Sequence, residues 1–197
     1  MKMIRILAGA LALVCVILSA GSAHATCMRP TSPFYKPTYS AAVTGLAVAA
    51  SATDVAIING SATKTVCVLD VRVSCHGSSA VRFNIALIRR STANSGGTSA
   101  AMTAVKNDTG NDAATATVLS YTANPTPGTA VGYVRADSYI APTANNPGVS
   151  NFRFADRHDN QPLTLRGVAQ GLAVSLEGQT VTGGECDISI EWSEESP

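Results

Sequence analysis

The chain has 197 residues, of which 46% are hydrophobic, 14% charged and 5% aromatic, with a formal net charge of +1. So small a charge, with its basic residues scattered apart from Arg89-Arg90, gives no electrostatic footprint for nucleic acid or an anionic membrane. The low charge and many aliphatic residues also exclude a disordered chain.

Residues 1–25 have the pattern of a cleavable secretory signal. Lys2 and Arg5 supply a positive start, Ile6 to Leu18 is apolar, and Ala23-His24-Ala25 places small side chains before a cut at Thr26. A spanning helix needs about 20 apolar residues, and this run is shorter. The expected product is secreted or periplasmic, with no membrane attachment once the signal is removed. Losing Lys2 and Arg5 leaves 12 basic against 13 acidic residues, a net charge of −1. About 170 residues then remain, enough for one domain with its own core.

Residues 26–40 form a Pro-rich arm, with Pro30, Pro33 and Pro37 favouring an extended chain. From 41 to 197, strand signals recur. Asp54 to Ile58 is short and apolar. Lys64 to Cys75 alternates, with Thr65, Cys67, Leu69, Val71, Val73 and Cys75 expected to face a core. Val81 to Leu87 repeats the alternation. A long polar loop follows at 94–112. Thr115 to Tyr121 and Ala130 to Arg135 flank the turn cluster Asn124-Pro125-Thr126-Pro127-Gly128. Phe152 to Ala155, Leu163 to Arg166 and Leu172 to Leu176 are further strands. Cys186 to Trp192 closes the series, with Cys186, Ile188, Ile190 and Trp192 inward. Many short strands without a helical period predict an all-β single domain, an antiparallel β-sandwich or jelly roll. The loops at 91–113 and 141–150 are long enough to serve as contact surfaces.

Cys15 leaves with the signal, and Cys27, Cys67, Cys75 and Cys186 remain. An even count in an exported chain predicts two disulfides. On one continuous strand Cys67 and Cys75 stand about 26 Å apart, far beyond the roughly 7 Å a disulfide allows. Cys27 and Cys186 therefore each bond one of them. Either assignment is feasible, and Cys27–Cys67 with Cys75–Cys186 is the favoured one. No CxxC spacing suggests zinc.

The candidate chemistry is sparse. His158 lies between carboxylates in Asp156-Arg157-His158-Asp159, the seed of a small hydrolase reading, set against a solvated polar turn. His76 follows Cys75 at a strand end. Ser61-Ala62-Thr63-Lys64 matches S-x-x-K but lacks its companion motifs. Asn107 to Asp112 offers oxygen ligands without the EF-hand spacing. Asn59-Gly60-Ser61 and Asn107-Asp108-Thr109 are glycosylation sequons. Tyr133, Tyr139, Phe152 and Phe154 are candidates for a carbohydrate-binding surface, against core packing. No catalytic, cofactor-binding or metal-binding residue is assigned, and no cofactor is expected.

The stretches Ala86 to Thr98, Leu165-Arg166-Gly167 with Leu172 to Leu176, and Asp187 to Trp192 resemble small uncharacterised proteins of bacteriophages, prophages and bacterial genomes. That resemblance spans roughly residues 54–195 and implies a β-sandwich virion or surface component. A signal peptide and paired cysteines depart from virion proteins assembled in the cytoplasm, and favour a secreted or surface relative. The expected role is an exported, non-enzymatic structural or interaction protein with protein partners, a second copy of itself among them. The alternatives are a secreted carbohydrate-binding module and the small hydrolase.

Overall fold

The computed structural model describes residues 36–141, 148–154 and 161–196. The signal segment 1–25, Cys27, most of the Pro-rich arm, the Asp156–His158–Asp159 cluster and the tip of the 141–150 loop lie outside them. So does the Tyr139 side chain.

The fold is an antiparallel β-sandwich of two six-stranded sheets. The strands are β1 (Thr38–Ala47), β2 (Ala52–Asn59), β3 (Thr65–His76), β4 (Val81–Arg90), β5 (Thr98–Ala101), β6 (Val105–Lys106), β7 (Thr117–Ala123), β8 (Ala130–Ala141), β9 (Gly148–Arg153), β10 (Leu163–Arg166), β11 (Gly171–Gln179) and β12 (Glu185–Glu195). The first sheet runs β10-β3-β12-β1-β6, with β9 also on β3. The second runs β5-β7-β2-β11-β4-β8.

No two consecutive described strands pair with each other. The 124–128 turn does not close a hairpin, because β7 and β8 sit on opposite sides of the second sheet. Gly167 to Gly171 carries the chain from one sheet to the other. The chain therefore knits the two layers together by repeated crossing, and all its strand pairing is non-local.

Strand β12 shows why the core forms. Cys186, Ile188, Ile190 and Trp192 are all buried, as period 2 predicts. They meet Ile58, Leu172, Val174 and Leu176 of the second sheet in one apolar cluster. Burying each large aliphatic side chain contributes about 1.5–3 kcal/mol. Tyr39 of β1 stacks on Trp192 with ring centroids 5.8 Å apart.

Strand β3 departs from the simple alternation. Val71, Val73 and Cys75 join the core as expected, but so do Val66 and Val68, which the odd-residue pattern turned outward. The cause is a β-bulge: Asp70 pairs with Glu191 and Val68 with Trp192, which leaves Leu69 as the extra residue. One inserted residue reverses the facing of all that precede it.

Cys75 and Cys186 are directly opposite on β3 and β12, with Cα atoms 4.1 Å apart, and form a disulfide. Cys67 and Cys75 do lie on one continuous strand. Cys67 is also oxidised, and the favoured partner Cys27 is outside the described residues. Among those residues, no helix is long and apolar enough to cross a membrane.

Candidate functional site

Several sequence candidates have structural roles. The Ser61 hydroxyl is buried and accepts the backbone N–H of Thr63 at 3.1 Å and of Lys64 at 3.2 Å. This is a serine turn leading into β3. The Lys64 ammonium reaches Ser196 instead, so the S-x-x-K spacing does not bring the amine to the serine. In the 107–112 loop, the Lys106 ammonium donates to the Asn111 carbonyl at 2.7 Å and the Thr109 carbonyl at 3.5 Å. A cation of the chain's own thus takes two of the loop's backbone carbonyls. Among the described residues no cluster of three or more His, Cys, Asp or Glu could hold a metal. Asn59 lies in β2 with its amide oxygen buried, a poor glycan acceptor, whereas Asn107 is exposed. His76 pairs with Glu185 across β3 and β12 at 3.7 Å.

The aromatic candidates divide. Phe152 and Phe154 are core residues. Tyr133 is 66% exposed.

Tyr133 borders a groove of about 430 Å³ on the outer face of the second sheet. Period 2 builds this face. Leu172, Val174 and Leu176 of β11 point into the core, so Ala173 and Ser175 point out; Ile88 and Arg90 of β4 lie beside them. Ile88 pairs with Tyr133 of β8. A second apolar cluster of Ile57, Tyr121 and Ala173 continues the face across β2 and β7.

Beneath the groove lies a buried polar network. Asp54 and Arg90 are 1% and 6% exposed. The guanidinium grips the carboxylate with two bonds, Nη2 to Oδ1 at 2.7 Å and Nε to Oδ2 at 3.2 Å. Its Nη1 donates to the Gly128 carbonyl at 3.1 Å. Asn94 donates to Asp54 at 3.0 Å and accepts the Gly128 N–H at 2.8 Å. Gly128 is required here, since a Cβ would lie 1.9 Å from the Thr92 carbonyl oxygen. The 124–128 turn is thereby locked onto the 91–95 segment, and Pro127 becomes a groove wall.

The opposite wall is Glu177, an exposed residue in the left-handed region with φ 56°, followed by Gly178 with φ 78°. The two lie where β11 slips register against β2, between Ser175 and Gln179. A β-carbon at such φ costs of order 1 kcal/mol, and Gly or Asn would adopt it more cheaply. The Glu177 carboxylate lies near enough to the Tyr133 hydroxyl to raise the tyrosine pKa above its ordinary value.

Sequence reasoning found Tyr133 and the 124–128 turn. It missed Asp54, Arg90 and Glu177, whose meeting depends on the order of strands. The groove also lies on strands rather than in the long loops favoured for contact. No family model matches this chain, and neither the curated proteins nor the solved structures include a match.

Proposed function

We propose that the chain is an exported, non-enzymatic interaction protein, a surface or assembly component that meets its partner through the outer face of the second sheet. Export rests on the pattern of residues 1–25. The Cys75–Cys186 disulfide accords with it, because such bonds persist in oxidising compartments.

The observation that carries the contact reading is the contrast between the blunted edges at β5, β6 and β8 and an open face. Strands β5 and β6 are only four and two residues long. Strand β8 is long, but extra residues at Val131 and Val134 bulge it against β4. Its Arg135 lies over the Phe154 ring at 5.4 Å, and its Asp137 accepts the Ser150 hydroxyl at 2.7 Å, both towards the other sheet. Bulges and inward charges disfavour addition of a further strand. The groove face, by contrast, offers an exposed aromatic ring beside a strained carboxylate.

The test uses the exported chain with a photoreactive benzophenone amino acid at Tyr133 or, as control, at exposed Thr44 of β1. The expected result is an N-terminus at Thr26 and a covalent adduct from position 133 but not from 44. Retention of residues 1–25 in the cytoplasm, equal adducts at both positions, or none at 133 overturns it.

A further inference from the structure

We propose that the outer-face groove binds a neutral glycan chain, with Tyr133 as the stacking platform and Glu177 as the acceptor for sugar hydroxyls. This rests on the reading of that face as the contact surface and names the chemistry it takes.

The lining selects the ligand class. Arg90 brings a positive charge, but Asp54 already holds it in two bonds and Gly128 in a third, so little is left to attract an anion. Glu177 is the remaining charge of the lining, is exposed, and repels anionic ligands. A purely apolar ligand is a poor match for an open groove with a carboxylate at its rim and the hydroxyls of Thr53 and Ser175 in its lining.

A neutral sugar fits each part. The C–H face of a pyranose packs flat on an aromatic ring, and Tyr133 presents one that is mostly solvent-exposed. A carboxylate accepts two hydrogen bonds side by side, which matches a vicinal diol. Tyr133 and Glu177 line the same groove, so the ring and the acceptor meet one ligand together. The strained φ of Glu177 places a charged side chain where a glycine would suffice for the turn. Such an outlier at a groove rim points to a use for the side chain. A volume near 430 Å³ accommodates one or two sugar units.

The test is affinity electrophoresis of the mature oxidised protein in gels containing laminarin, dextran, galactan or mannan, with polygalacturonate as the anionic comparison. Four variants accompany the wild type. Ala130→Trp fills the groove from an exposed position that lines it. Tyr133→Ala removes the platform, and Tyr133→Phe keeps it. Glu177→Gly removes the acceptor while relieving the backbone. Circular dichroism and thermal melting establish that each variant is folded.

Expected is retardation of the wild type by at least one neutral glycan, lost in Ala130→Trp and Tyr133→Ala. Glu177→Gly weakens binding about tenfold or more, and Tyr133→Phe remains close to wild type. No retardation by any of the four neutral glycans, retardation by polygalacturonate alone, or retardation that survives Ala130→Trp overturns the assignment. A protein adduct from position 133 combined with no glycan binding leaves the contact surface standing and removes the glycan.

Discussion

Arg90 and Asp54 are buried partners 36 residues apart in sequence, joined by two bonds under the floor of the groove. Removing one member leaves the other charge uncompensated in the interior, which costs about 3–5 kcal/mol. Arg90→Met and Asp54→Asn are each expected to lower the urea-unfolding free energy by that amount. The double variant should lose less than the sum of the two. Arg90→Lys should not restore stability, because an ammonium cannot grip both carboxylate oxygens and also reach the Gly128 carbonyl. Additive losses in the double-mutant cycle would show that the pair does not act as a unit.

Glu194 provides a second test of buried polar matching. It is 4% exposed and accepts from the Thr115 and Ala116 backbone N–H groups, the Thr115 hydroxyl at 2.6 Å and the Trp192 indole N–H at 3.0 Å. All these partners are donors. Glu194→Gln turns an amide NH2 towards them and strands at least one, at a cost of about 1–3 kcal/mol. Trp192 reports the change directly, so a shift in its fluorescence emission should accompany the lost stability. An unchanged melting temperature with unchanged emission would refute the cage.

The legible parts of this fold were those written within a single strand. Cys186, Ile188, Ile190 and Trp192 face inward because alternation and apolarity agree. The same alternation carries Glu194 inward, but a carboxylate near the C-terminus reads as solvent-facing until its ring of donors is seen. In β3 the pattern from Thr65 to Cys75 looks unbroken, and only its pairing with β12 exposes the bulge at Leu69. Strands β1 and β5 are not legible because they are rich in Ala, Ser and Thr, and β6 because it is two residues, Val105 and Lys106, within a polar loop. The groove was the least legible element. Asp54, Arg90, Tyr133 and Glu177 come from four strands, and nothing local to any of them encodes the order β2-β11-β4-β8.

The disulfide joins adjacent strands but closes a loop with a sequence separation of 111 residues. Cross-linking so distant a pair restricts the unfolded chain strongly, and removing such bonds costs about 2–5 kcal/mol. The paired variant Cys75→Ala/Cys186→Ala should keep the wild-type far-ultraviolet spectrum at low temperature and unfold at lower urea. Peptide mapping of the oxidised wild type should recover a Cys75–Cys186 peptide. Recovery of Cys67–Cys75 instead would contradict the single continuous strand β3.

Asp70 gives the chain a signature in its pH dependence. Burial raises its carboxyl pKa above the ordinary value, against the lowering effects of Arg153 and Arg72. Its cross-strand neighbour is Glu191, and one of its own carboxylate oxygens is buried without a hydrogen bond. The folded state therefore holds the Asp70 proton more tightly than the unfolded chain does. By linkage, that contribution to stability is fully present below the unfolded pKa and is lost as pH rises through the higher folded pKa. At neutral pH the ionised Asp70 is a net burden. Asp70→Asn should raise the melting temperature at pH 7 and remove this component of the stability change on acidification. Melting curves taken from pH 7 down to pH 3 test it. A lower melting temperature at pH 7, with the wild-type pH profile intact, would mean that the Arg153 ion pair outweighs the burial.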